Sequence, residues 1–334
     1  MTIGFCAHRV RKISAALATS LFVSVGLGLA SASAALAQEY PSRTIRIVVP
    51  FPAGGSNDVA ARIVAEQLSA LVGQSTYVEN KGGANGTLGI AEVANATPDG
   101  YTLLVSSDST VTNIYNFKSA VDPVRQLTAI VQIARQPVVL VAHPTLGARS
   151  IAELVALAKQ QPNLQYGTGS GTGSPQSVVA AWFAQLAAIK LQQVPYRGGG
   201  PLINDLVGGH IKLATMGAAP ALPFYRDGKL LVLAQSGEAR SPSLADVPTF
   251  REAGFAELAL SQWVGVFAPA GLPASIADKL NADLNKVIAL PRVREALEKA
   301  GLDATGGTRA AFSSVVSSDV DKYGRLKTLL DTQP

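Results

Sequence analysis

The sequence is short of the side chains that most often do chemistry. Its 334 residues include one cysteine and three histidines, and charged residues make up only 15%. The cysteine, Cys6, lies in a leading segment that reads as a secretory signal. Arg9, Arg11 and Lys12 form a basic start, Ile13 to Ala30 is apolar and almost uncharged, and Ala35-Leu36-Ala37 offers a small-x-small cleavage site. Cleavage after Ala37 is therefore expected, and it would leave residues 38–334 without a thiol for a disulfide, a nucleophile or a metal. No second hydrophobic run of spanning length follows, so a cleaved signal and a periplasmic mature chain are expected rather than a membrane anchor. Cys6 precedes the apolar run, where a lipoprotein would carry its cysteine after it.

Charge is scarce in a second sense. Loss of three basic residues with the signal lowers the formal charge from +5 to +2. The remaining basic residues are scattered and not interleaved with aromatics, so no nucleic-acid partner is expected. His143 and His210 have no histidine or acid at a ligand spacing, and no metal or cofactor is expected. The usual enzyme motifs are missing too. Gly167 to Gly173 spells Gly-x-Gly-x-Gly-x-Gly, not the dinucleotide spacing; no Gly-Lys-Ser/Thr occurs; and Ser170 has Thr168 and Thr172 where a serine elbow needs glycine.

What is present is an alternation of short β-rich runs with helical stretches, the pattern of parallel strands joined by crossover helices in an α/β fold. Strands are expected at Ile45 to Phe51, around Tyr77-Val78 and at Tyr101 to Val105, with helices near Asn57 to Leu71 and Leu88 to Ala96. Two separate strands, Thr128 to Ile133 and Val138 to Ala142, carry the chain into a second βα unit whose helices start at Ser150 and near Pro175. Three amphipathic helices close the chain, at about Ala274 to Ala289, Arg292 to Ala300 and Arg309 to Leu330. A first unit of two helices leaves one sheet face bare, so the last helices are expected to return to it. Two crossings would then join the domains and permit a hinge.

Two glycine-rich strand-to-helix turns dominate. Pro52 to Asp58 reads PAGGSND, and Gly167 to Ser174 reads GTGSGTGS. Glycine lets backbone N–H groups approach a ligand, and a helix start adds unsatisfied donors, so carboxylates or phosphates are the natural guests. Asp58 is out of place beside an anion. It fits if its carboxylate caps the helix or accepts from the loop amides, and a contact to a ligand ammonium or hydroxyl is the alternative.

The stretches VVPFPAGGSND, VENKGGANGTLG, PDGYTLLVSS, VPYRGGGP, DVPTFREAGF and WVGVFAPAGLP resemble the Bug-type periplasmic receptors of tripartite tricarboxylate transporters, in order from about Tyr40 to the C terminus. The resemblance implies a two-domain Venus flytrap of the class II periplasmic-binding-protein kind. Its first domain would comprise residues 38–140 and 262–334 and its second residues 141–261, with the ligand cleft between them. It implies no enzyme activity, a small carboxylate ligand, and a membrane permease as partner to a monomeric receptor. Carried over, the turn Phe51, Pro52, Ala53, Gly54, Gly55, Ser56, Asn57 and Asp58 would hold one carboxylate. Thr168, Gly169, Ser170 and Ser174 would face it, with Ser106, Ser107 and Asp108 and then Tyr196 and Arg197 lining the sides and Asn85 near the far end of the ligand. Many relatives have a histidine just after the serine-rich turn; this chain has Gln176. A ligand-sensing receptor for signalling, or a hydrolase on the same scaffold, are the alternatives.

Overall fold

The computed structural model describes residues 40–116, 121–169 and 173–331, with side chains described as far as residue 326. The expected signal at residues 1–37 and its cleavage site lie outside them. Residues 43–334 form one compact unit. Its strands are β1 (Ile45–Val49), β2 (Thr76–Asn80), β3 (Thr102–Ser107), β4 (Leu127–Ala142), β5 (Leu164–Thr168), β6 (Leu191–Pro195), β7 (Leu213–Gly217), β8 (Leu231–Gln235), β9 (Ser261–Pro269) and β10 (Asp303–Ala304). The helices are α1 (Ser56–Val72), α2 (Thr87–Ala94), α3 (Ser109–Asn116), α4 (Ile151–Gln160), α5 (Pro175–Leu186), α6 (Gly199–Val207), α7 (Ala218–Arg226), α8 (Ala274–Ala289), α9 (Pro291–Lys299) and α10 (Arg309–Asp331).

The strands hydrogen-bond in the order β2-β1-β3-β9-β4-β7-β5-β6, with β8 and β10 both added to β4. β1, β2 and β3 run parallel, as do β5, β6 and β7, while β9 is antiparallel to both β3 and β4. β4 is the hinge of this arrangement. Its first part pairs with β9 as far as Pro137 opposite Ser261, and from Val138 onward it pairs with β7 and β8. The sequence suggested two strands here because Arg135-Gln136-Pro137 interrupts the apolar run. The backbone instead stays extended throughout, and the proline sits where the ladder changes partner. Register shifts after Ala129 and Gln132 bend the strand without ending it.

Beyond Pro137, side chains of β4 alternate between two cores. Val138, Leu140 and Ala142 pack with Ile151, Leu154 and Phe183 of α4 and α5, while Val139 and Val141 pack with Leu202, Leu206 and Leu222 of α6 and α7. Period-two alternation on a strand covered on both faces requires this division. A third core joins Val48, Leu104, Trp263, Phe267, Phe312 and Tyr323. Trp263 meets Phe312 edge-on with ring centroids 5.2 Å apart, so this tryptophan is core. The C-terminal helices α8 and α10 pack on α1, β4 and α3, which places them beside the first βα unit. α3, α6 and α7 escape the sequence reading. α6 opens on Gly199-Gly200-Pro201 and α7 contains Pro220 and Pro223, residues that read as turn; Pro201 and Pro220 lie in first turns, where a proline removes no helical hydrogen bond, whereas Pro223 sits inside α7 and does remove one.

Candidate functional site

α1 begins where Pro50 and Pro52 turn the chain off β1. The Gly54 N–H donates to Asp58 Oδ2 at 3.0 Å, closing the turn on its own helix. Arg62, one turn on, donates Nε to the same carboxylate at 3.0 Å, and Asn80 Nδ2 donates to Oδ1 at 2.9 Å. Burial pushes the Asp58 carboxyl up, but the bonds from Arg62, Gly54 and Asn80 together with the Arg62 charge outweigh it and hold it below the usual carboxylate range. Asp58 therefore shapes the turn, and Arg62 neutralises it.

No side chain caps α1, so its first N–H groups have no acceptor within the helix. Two more helices start at the same space after a glycine that has no side chain to cap them: α6 after Gly198, and α7 after Gly217. All three reach one cavity of about 40 Å³, room for a few water molecules. Gly55, Ser56, Asn57 and Asp58 line it from α1, Gly199 from α6 and Gly217 from β7, with Ser107 and Gly169 at the ends of β3 and β5. Phe51, Met216 and Pro220 make its apolar wall. Among the described residues no lysine or arginine lines it, so a negative guest would be met by amides and helix dipoles, as at other helix-terminus anion sites.

Three glutamines complete the lining, and two of them, Gln136 and Gln262, were missed in the sequence. Gln136, on the crossing strand, accepts at Oε1 from Ser56 Oγ at 3.0 Å and from the Ala219 N–H at 3.3 Å, joining the starts of α1 and α7. A Cβ on Gly217 would lie 2.5 Å from Gln136 Nε2 and 2.6 Å from Ser56 Oγ, so only glycine leaves room for this bridge. Gln262 Nε2 donates to Asp108 Oδ1 at 3.2 Å, and Gln262 Oε1 accepts from Gln176 Nε2 at 3.3 Å. Nothing in the sequence marks a lone glutamine in a strand as a bridge.

The remaining expected residues sort by depth. Pro52, Asn85, Tyr196 and Arg197 line a neighbouring, roomier cleft of about 630 Å³, not the cavity itself. Asn85 donates Nδ2 to Asn113 Oδ1 at 2.8 Å, and the Tyr196 hydroxyl donates to Asp205 at 2.8 Å. Ala53 and Gly54 lie against the backbone of Gly200. Ser106, Asp108, Thr168 and Ser174 are wholly buried: Ser106 accepts from Thr110, Asp108 accepts from Tyr323 and Gln262, Thr168 accepts from Gln193, and Ser174 caps α5. Ser170 lies outside the described residues. His143 bonds Thr145, and neither it nor His210 lines the cavity. No group of three metal-ligating side chains occurs among the described residues, and no helix among them is long and apolar enough to cross a membrane.

A two-lobed α/β architecture with an amide-lined cavity between strand ends matches one family by sequence. The profile described as tripartite tricarboxylate transporter family receptor matches residues 60–331. The chain belongs to that family. Family members are solute-binding receptors, not enzymes, and the fold is the two-domain periplasmic-binding-protein fold of Bug-type receptors. The structure of the periplasmic binding protein BugD superposes with a TM-score of 0.83 at 28% identity, covering 88% of this chain and 99% of that one. The R. palustris protein Rpa4515 with adipate gives 0.84 at 28% identity over 88% and 99% of the two chains. MatC from Rhodopseudomonas palustris with bound malate gives 0.81 at 29% identity over 86% and 99%.

Proposed function

We propose that this family member is a periplasmic receptor that captures a small carboxylate by closing its two domains and hands it to the membrane component of a tripartite tricarboxylate transporter. The carrying observation is the convergence of three helix starts, at Ser56, Gly199 and Ala218, on one cavity whose lining, among the described residues, holds no cation; in the third, Gln136 already takes the Ala219 N–H. Such a cradle favours a carboxylate without fixing the rest of the ligand. Relatives bound to adipate and malate support that class of guest. The domains would be residues 38–140 with 262–334, and residues 141–261, joined at β4 and at the entry to β9. Donors from both converge on the cavity, so a bound anion selects the closed population. Export would follow signal cleavage after Ala37, and Gly55, Ser56 and Asn57 would hold one carboxylate.

A thermal-shift screen of refolded protein against mono-, di- and tricarboxylates, aromatic acids and amino acids tests this reading. A ligand that binds only the native state at a hundred times its Kd adds about 2.7 kcal/mol of stability, a shift of several degrees. We expect such a shift with one carboxylate class and its loss in Gly217→Ala, whose new methyl occupies the space of the Gln136 bridge. No shift with any acid would sink the proposal.

A further inference from the structure

Gln176 stands out among the polar groups at the cavity. It is only 9% exposed, it lines the cavity, and its Oε1 has no hydrogen-bond partner among the described residues. Buried acceptors are ordinarily satisfied, and one left open at a binding cavity points to a donor on the guest. Its orientation is not arbitrary. Asp108, wholly buried behind the cavity, accepts from the Tyr323 hydroxyl at 2.8 Å on Oδ2 and from Gln262 Nε2 at 3.2 Å on Oδ1. An ionised carboxylate only accepts, so Gln262 must turn its NH₂ toward Asp108 and its oxygen toward Gln176. Gln176 then donates Nε2 to Gln262, and its Oε1, buried in a residue that lines the cavity, is left without a partner among the described residues.

We propose that Gln176 selects, among small carboxylates, those that also carry a hydroxyl group, with Asp108 and Gln262 as the positioning residues that hold it as an acceptor. The inference rests on the carboxylate reading above and adds the second half of the ligand. An open acceptor beside an anion cradle repels a bare carboxylate oxygen and leaves itself unpaired against a methylene, whereas a hydroxyl satisfies it. A hydroxyl fits better than an ammonium. The one acid in the lining, Asp58, is already neutralised by Arg62 and bonded by Gly54 and Asn80, so no free counter-charge awaits a cation.

The groups facing Asp108 are Tyr323, Asp319 and Lys322 of α10 and Gln262 of β9. Asp319 is itself tied to Trp263 Nε1 at 2.7 Å and to Lys322 at 2.5 Å. Burial first, and the Asp319 charge second, push the Asp108 carboxyl up to about 7 against the bonds from Tyr323 and Gln262 and the Lys322 charge. Below that pH the protonated carboxyl no longer dictates which end of Gln262 it faces, and the hold on Gln176 relaxes.

The experiment is calorimetric titration with pairs differing by one hydroxyl: lactate and propionate, malate and succinate, citrate and tricarballylate. For the pair that binds, the hydroxy acid should bind about tenfold to a hundredfold tighter at pH 8.5, the range set by leaving one buried acceptor unpaired. The ratio should shrink at pH 6 in the natural protein. It should collapse toward one in Gln176→Met, which keeps the side chain's length, and lose its pH dependence in Asp108→Asn, with melting curves confirming that each variant folds. Equal affinities within every binding pair would overturn this inference and leave the carboxylate receptor standing. A ratio that does not move with pH would overturn the part assigned to Asp108. Aspartate binding as tightly as malate would overturn the choice of hydroxyl over ammonium, and no binding by any pair would remove the carboxylate reading along with it.

Discussion

Two buried carboxylates near the cavity respond to pH in opposite directions, and the sign follows from what each touches. Asp58 is held below the usual carboxylate range, so its contribution to stability is present above the ordinary carboxylate pKa and is lost as pH falls through the depressed one. Asp58→Asn leaves Arg62 without its counter-charge and weakens the turn at Gly54; we expect a loss of about 1–3 kcal/mol at pH 7, with a shallower fall in melting temperature below pH 4 than in the natural protein. Asp108 behaves the other way. Its carboxyl is raised to about 7, so between about pH 4 and 7 the folded state holds a proton the unfolded chain has released, and stability falls as pH rises. Melting temperatures read from pH 5 to 8 should decline through this group and decline less in Asp108→Asn; equal slopes would show that the charge is tolerated. Of the two, Asp58 was legible in the sequence as a residue out of place beside an anion cradle, and its structural role follows from Arg62 one turn later. Asp108 was visible only as the end of a serine run. The partners that set its character, Gln262 and Tyr323, stand 154 and 215 residues away in sequence, and no local pattern reports them.

At the scale of elements, the start of α6 lies directly on the start of α1. A Cβ on Gly200 would fall 2.2 Å from the Ala53 carbonyl oxygen, and one on Gly198 would fall 2.9 Å from Pro52 Cδ. Two glycine-rich turns thus meet backbone to backbone across the cleft, a contact that no larger residue permits. The run Gly199 to Pro201 reads from sequence as turn. It is a helix N terminus pressed against the first turn. Gly200→Ala should leave folding intact, since its clash is with the other lobe alone, while ligand affinity falls about tenfold or more because the closed pairing is strained. Unchanged affinity with unchanged melting would mean the turns need not touch when ligand is held. The strands and long helices were legible because period-two and period-3.6 patterns are written locally. The short helices α3, α6 and α7 were not, because glycine, proline and serine at their starts carry the same letters as turns, and only packing on β4 and its neighbours decides between the two.

At the scale of the molecule, β4 and β9 bear the mechanics. One strand runs unbroken from the β9 ladder into the β7 and β8 ladder, and Pro137 marks the change of partner, so the two halves of the sheet share a backbone rather than a flexible linker. Rotation about that point would move α6 and α7 away from α1, and Leu326 of α10, which packs both on the core of α4 and α5 and on the core around Trp263 and Phe312, is an apolar contact that would have to slide. The absence of cysteine after residue 6 makes this motion measurable. Cysteines placed at the exposed positions Glu66 on α1 and Lys159 on α4 are the sole thiols in a chain that begins at Gln38, and a dye pair attached to them reports the separation of the lobes. Ligand should narrow the distance distribution toward the short end in the natural protein, and Gly200→Ala should hold it broad at the same ligand concentration. A distribution that ignores ligand in a protein shown by melting to bind it would mean that the lobes are already closed without a guest. Selection of ligand would then rest on the rigid cavity of Gln136, Gln176 and the three helix starts alone.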